Sequence, residues 1–331
     1  MTRRPRTVLA MAPDVRDALL DARAVRRLAA LAVCDPGFVV ADFDAAGGEL
    51  ADVEALLTCW GCPPLTGAVL ERMPALRTVV HAAGSVKEHV TAACWERGLT
   101  VSSAAWANAL PVAEYTVAAI LFAGKRVLET AREYRERRTA LERPADLGNF
   151  HRVVGVVGAS RIGRRVLELL RPYDVLTLLY DPYVTAAQAA RLGAEHVGLD
   201  ELARRSDIVT LHAPQLPSTR HLFDARRLAL MPDGATLVNT ARGTLVDTAA
   251  LTAELVAGRL RAVLDHTDPE VLPADSPLYD LPNVLLTPHV AGSLGNELPR
   301  LAHAALDELQ RYAEGSPYAH PVLAADLDTL A

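Results

Sequence analysis

Arg242, Asp265, Glu270 and His289 are spaced through the last third of the chain. Each stands at, or a few residues beyond, the end of a short apolar run: Ala235–Thr240, Arg261–Leu264 and Asn283–Thr287. Arginine stays charged, and its planar fork matches a carboxylate. Imidazole titrates near neutrality, and a neighbouring carboxylate favours its protonated form. Reducing a 2-keto acid by hydride would need a cation for the carboxylate, a proton donor for the carbonyl oxygen and a partner that tunes the donor. An arginine has to justify itself by position here, because lysine occurs only at 87 and 125 and nearly every cation is Arg.

A second constellation precedes it. The run Arg152–Gly158 ends in Gly158-Ala-Ser160-Arg161-Ile162-Gly163 and leads into a helical pattern from Arg164 to Leu170. Glycines here allow a tight turn, close approach of backbone to a pyrophosphate, and close helix–strand packing. Gly158 and Gly163 fill the first and third places, and Ser160 stands in the second, where serine fits if φ stays negative. Asp181 ends the next apolar run, about 20 residues on, where an acid accepts ribose hydroxyls and repels a 2′-phosphate. The turn therefore predicts NAD rather than NADP.

The elements that would place these residues follow from the apolar runs. Arg152–Gly158, Val175–Asp181, His196–Leu199, Asp207–Ala213, Ala235–Thr240, Arg261–Leu264 and Asn283–Thr287 lack polar alternation, as in parallel strands buried on both faces. Helical patterns separate most of them, which predicts a doubly wound sheet with ligands beyond the carboxyl ends of its strands. Thr7–Met11, Val39–Ala41, Ala55–Trp60, Thr78–Ala82 and Leu99–Ser102, with a helical stretch from Val15 to Val33, predict a smaller α/β unit before it. Between the two, Pro111–Arg138 reads as one long helix with proline in its first turn.

Composition narrows the function. Half of the 331 residues are apolar and the net charge is −6, so cores are ample and the basic footprint of a nucleic-acid binder is missing. No apolar run reaches the ~18 residues of a membrane span; Tyr115–Gly124 comes nearest. The start does not read as a signal peptide, which makes the cytoplasm the expectation. Cys59 and Cys62 form a C-x-x-C, but two prolines follow at once instead of a helix, and no further ligands share the spacing. Neither a redox pair nor a metal is expected.

The sequence resembles the D-2-hydroxyacid dehydrogenase family over nearly its whole length. The stretches that carry the likeness are His81-Ala-Ala-Gly-Ser-Val86, the glycine turn with Tyr180-Asp181-Pro182, Leu211-His-Ala-Pro214 with Thr219, and Asn239-Thr-Ala-Arg-Gly-Thr-Leu-Val-Asp247. Asp268-Pro-Glu270 and Leu281-Pro-Asn-Val-Leu-Leu-Thr-Pro-His-Val-Ala-Gly292 complete it. The resemblance, which extends to glyoxylate/hydroxypyruvate reductases and phosphoglycerate dehydrogenases, implies two doubly wound parallel-sheet domains. A Rossmann NAD-binding domain, 106–290, would be inserted in a flavodoxin-like substrate domain formed by 1–105 and 291–331, with hinges near Trp106 and Val290. It implies that Arg242 binds the substrate carboxylate, that His289 is the acid/base and that Glu270 holds it. Backbone amides near Gly84 and Ser85 would complete the carboxylate site from the opposite domain. Gly158, Ser160, Arg161, Ile162, Gly163 and Asp181 would bind the cofactor, with His212, Pro214, Thr219, Thr240 and Asp265 lining its cleft. A homodimer is implied as well. Ser160, His266 and Val271 depart from the usual pattern, and Lys87 lies just past the carboxylate loop. On the same scaffold, an NAD(H)-responsive binding protein without significant turnover is the alternative; a formate dehydrogenase relative would carry glutamine at Glu270.

Overall fold

The computed structural model describes residues 3–47, 50–140 and 147–327. They form two compact units, one from Met1–Asn108 with Ser293–Leu330 and the other from Ala109–Gly292.

The first unit opens with β1 (Thr7–Ala10), α1 (Pro13–Leu19), α2 (Ala22–Leu31), β2 (Val39–Val40) and β3 (Ala55–Thr58). It continues with α3 (Gly67–Glu71), β4 (Thr78–His81), α4 (Ala92–Glu96) and β5 (Thr100–Ser103). Helix α5 (Ala105–Gly124) then leads to α6 (Val127–Arg137). The second unit carries β6 (Val153–Val157), α7 (Arg161–Leu170), β7 (Leu176–Tyr180), α8 (Ala186–Arg191), β8 (Glu195–His196), α9 (Leu199–Arg205) and β9 (Ile208–Leu211). After these come α10 (Ala225–Leu230), β10 (Thr236–Asn239), α11 (Thr248–Val256), β11 (Arg261–Leu264) and β12 (Val284–Leu286). The chain returns to the first unit as α12 (Leu298–Ala313) and β13 (Pro321–Val322).

The sheet of the first unit has the order β13-β5-β4-β3-β1-β2, parallel except for β13. Without that edge strand this is the flavodoxin-like order. The seven strands of the second unit run β12-β11-β10-β9-β6-β7-β8, all parallel, a doubly wound Rossmann order extended by one strand. Both sheets are buried on two faces, and the period-2 geometry of a strand divides its residues between them. Along β11, Ala262 and Leu264 pack with Phe223, Leu251 and Leu255, while Val263 faces Ile120, Val166 and Leu170. Along β1, Leu9 meets Leu28 and Leu306, while Val8 and Ala10 face Leu70 and Met73.

Three expectations need correction. The long helix read over Pro111–Arg138 begins earlier, at Ala105, leaving Pro111 inside α5, and it breaks at Arg126, whose φ is +46°. Helix α5 is apolar and largely buried whereas α6 buries no residue, so the two have no common face to keep them collinear. The strand expected over His196–Leu199 is only Glu195–His196, because Leu199 opens α9. Finally, by length and composition α5 is long and apolar enough to cross a membrane, with mean hydropathy 1.3 over its best window. Of that window 56% is buried in the fold, as a core helix would be.

Candidate active site

The glycine turn lies where β6, β7 and β9 end together. The Gly158 amide donates to Tyr180 O at 2.8 Å, and the His212 amide to Val157 O at 2.7 Å. Gly158 has φ +98°, and a Cβ there would stand 2.8 Å from the backbone of His212 and Ala213, so only glycine fits. At Gly163 a Cβ would fall 2.0 Å from Gly158 O, which is how closely α7 approaches the turn. Ser160 has φ −63° and no need of glycine; its Oγ accepts from Gly163 N at 3.3 Å and caps α7. Arg161 and Ile162 form the first turn of α7, whose amides have no acceptor within the helix and suit an anion. Asp181 clamps the turn, accepting from Ala159 N at 2.7 Å through one oxygen and from Tyr183 N at 2.8 Å through the other. This cradle, which a Cβ would fill, fits a dinucleotide pyrophosphate.

Other expected cofactor contacts are tied up locally. The Thr219 hydroxyl donates to Pro214 O at 2.6 Å and accepts from Leu216 N at 2.9 Å, stapling the loop after β9. Thr240 is buried and its hydroxyl pairs with that of Thr116 at 2.8 Å, which fastens the end of β10 to α5. His212 is buried beside Thr210, 2.9 Å from its Nε2, and burial pushes its pKa down to about 3. Its Nδ1 has no partner among the described residues.

Arg242, Glu270 and His289 come from the ends of β10, β11 and β12. Asn239 sets the first of them: its Nδ2 donates to Arg242 O at 2.9 Å and its Oδ1 accepts from Ala241 N at 3.1 Å. His289 Nδ1 lies 2.7 Å from Glu270 Oε1, the side chains being 50% and 66% exposed. A carboxylate accepts only, so Nδ1 carries the hydrogen and Nε2 is left to face a reactant. The bond from His289 holds the Glu270 carboxyl below its ordinary range, with help from the charges of His289, His266 and Arg242. His266 is buried, its ring centroid 3.8 Å from that of His289. Burial first, then the His289 and Arg242 charges, lower its pKa to about 4.

Asp265 sits under this group, buried and expected to line the cofactor cleft. Its carboxylate accepts from Thr287 Oγ1 at 2.7 Å, Val290 N at 2.8 Å and Ala291 N at 2.9 Å, and its carbonyl from His289 N at 3.1 Å. The Thr287 hydroxyl donates to Asp265, so Tyr115 Oη, 2.9 Å away, must donate to Thr287. Asp265, Thr287 and Tyr115 thus form the support of the His289 loop. The sequence reading missed this role for Tyr115 and Thr287, as it missed the place of His266; the Thr-Pro-His context was the available signal.

In the first unit, Gly84 and Ser85 follow β4, half-buried, and Ser85 Oγ accepts from Lys87 N at 3.4 Å. Cys59 and Cys62 are buried, which pushes both thiols up to about 12 and leaves little thiolate.

Residues 117–291 match the D-isomer specific 2-hydroxyacid dehydrogenase, NAD binding domain. The glyoxylate reductase of Korarchaeum cryptofilum is 32% identical over 272 residues, 81% of this chain and 82% of that one. The D-3-phosphoglycerate dehydrogenase of Mycobacterium tuberculosis is 36% identical over 226 residues, 68% of this chain. The chain spans less than half, 43%, of that relative's length. Among solved structures, the TT0316 protein from Thermus thermophilus superposes with a TM-score of 0.76 at 28% identity, covering 96% of this chain and 100% of its own. The chain belongs to the D-isomer specific 2-hydroxyacid dehydrogenase family, with the family's NAD-binding domain at residues 117–291.

Proposed function

We propose that the protein interconverts a D-2-hydroxy acid and its 2-keto acid with NAD(H), acting in the cytoplasm. The observation that carries this reading is the 2.7 Å bond between His289 and Glu270, with Arg242 close enough to act on Glu270's charge. Arg242 binds the carboxylate by two parallel hydrogen bonds and polarises the keto oxygen. His289 Nε2 gives its proton to that oxygen during reduction and takes it back during oxidation, while Glu270 keeps the ring oriented. NADH, when bound, supplies the hydride that reaches the carbonyl carbon. Gly158, Ser160, Arg161, Ile162, Gly163 and Asp181 hold the cofactor, Asp181 favouring a free 2′-hydroxyl.

Nicotinamide absorbance followed against a panel of 2-keto acids tests the proposal, with His289→Ala alongside. Turnover that the substitution lowers by roughly 10²–10⁴ is expected, the usual contribution of a general acid. NADH binding without turnover on any keto acid would instead indicate an NAD(H)-responsive binding protein.

We also propose a homodimer formed through the second unit. An apolar groove there is lined by Tyr115, Phe122, Val127, Leu128, Val263 and Leu285, and both Phe122 and Leu128 are exposed. Large exposed apolar side chains around a groove favour a protein partner.

A further inference from the structure

We propose that His266, Glu270 and His289 together bind one zinc ion. One ligating atom from each lies within 4.8 Å of the other two. Zinc holds nitrogen and oxygen ligands at about 2.0–2.2 Å, so tetrahedral ligand atoms stand roughly 3.3 Å apart. Side-chain shifts of about an ångström therefore suit the set to the ion, which replaces the hydrogen of the His289–Glu270 bond and opens that 2.7 Å pair by roughly 0.6 Å. Two imidazoles and a carboxylate are a donor set that zinc accepts, and they leave a fourth position open.

The fold brings these donors to one place. Strands β11 and β12 pair in parallel, Leu264 opposite Leu286, and His266 and His289 follow them by two and three residues. His266 is held by burial, and the exposed side chains of Glu270 and His289 give an ion its way in. Arg242 opposes the ion's charge, whereas the carboxylate of Asp265, next in sequence to His266, favours it. A weakly retained, exchangeable ion is expected from that balance rather than a structural one.

On the dehydrogenase reading proposed above, such an ion would occupy the imidazole that moves the proton, so zinc should inhibit. Binding itself does not depend on that reading. The test is calorimetric titration of zinc chloride into the full chain at neutral pH, with cobalt(II) as a spectroscopic probe. One equivalent is expected to bind with micromolar affinity. Cobalt should give visible bands of nitrogen and oxygen ligation without a thiolate charge-transfer band, which separates this site from the four free cysteines, half-buried Cys34 and buried Cys59, Cys62 and Cys94. His266→Val and, independently, Glu270→Gln should each weaken binding at least tenfold, with circular dichroism confirming that each variant folds. No saturable binding, a thiolate band, or unchanged affinity in both variants would overturn the site. Rate measurements then separate the two claims. Inhibition at saturating zinc that a chelator reverses supports the site, and undiminished turnover overturns it if His289→Ala has shown that His289 is required. Zinc binding without turnover on any keto acid sinks the dehydrogenase reading and leaves the site standing.

Discussion

His289 adopts φ +55°, a left-handed conformation that a residue with a Cβ takes up at a cost of about 1 kcal/mol or more. Its amide is held by the carbonyls of Asp265 and Thr287, and the following two amides by the Asp265 carboxylate. Three donors converge on that buried carboxylate, so an amide in its place would turn an NH2 toward at least one of them. Asp265→Asn should lower stability by about 1–3 kcal/mol, the range for a buried group left unsatisfied. It should also reduce turnover while NADH affinity changes less, because the loop that carries His289 relaxes. Denaturant unfolding and steady-state kinetics on the same preparation check both parts; an unchanged kcat would remove Asp265 from the support of His289.

Among the elements, helix α7 and the turn before it divide the duties that a three-glycine motif usually shares. Ser160 acts as the helix cap, so Ser160→Ala should cost about 1 kcal/mol, whereas Ser160→Gly should cost only a few tenths. Gly163→Ala introduces a methyl 2.0 Å from Gly158 O, and backbone on both sides must move apart. We expect at least tenfold weaker NADH binding by fluorescence titration for that variant, with little loss of affinity for Ser160→Gly. The reverse order would show that the serine, not the close packing of α7, governs the cradle.

For the whole molecule, acid is the condition that tests the packing most directly. Burial lowers His81 well below its ordinary 6.5, His89 to about 4 and His212 to about 3. Between about pH 6.5 and 3 the unfolded chain then binds more protons at these sites than the fold does, so stability is present above 6.5 and falls with pH through this window. The denaturant midpoint should drop between pH 7 and 5, and His212→Asn should flatten part of that dependence; a midpoint independent of pH would contradict it. Assembly is a second property at this scale. Phe122→Asp with Leu128→Asp should convert the proposed dimer to a monomer in sedimentation, and a wild-type monomer would remove the groove as its interface.

The sequence by itself marked the strands of both sheets except β13, since uninterrupted Val, Ile and Leu runs suit strands buried on two faces, and Gly158, Asp181, Arg242, Glu270 and His289 stand at or a few residues beyond the ends of those runs. Local chemistry was legible at these points because a turn or a strand end constrains residue type over a few positions. The break at Arg126 was not read from the sequence: helical periodicity runs on through α6, and the change from buried α5 to exposed α6 appears only in the fold. Tertiary structure decided that Tyr115 and Thr287 reach Asp265, that Thr240 turns to Thr116, and that His266 packs against His289. Strand pairing and helix packing bring Tyr115 to Thr287 across 172 positions, and no local pattern records such contacts.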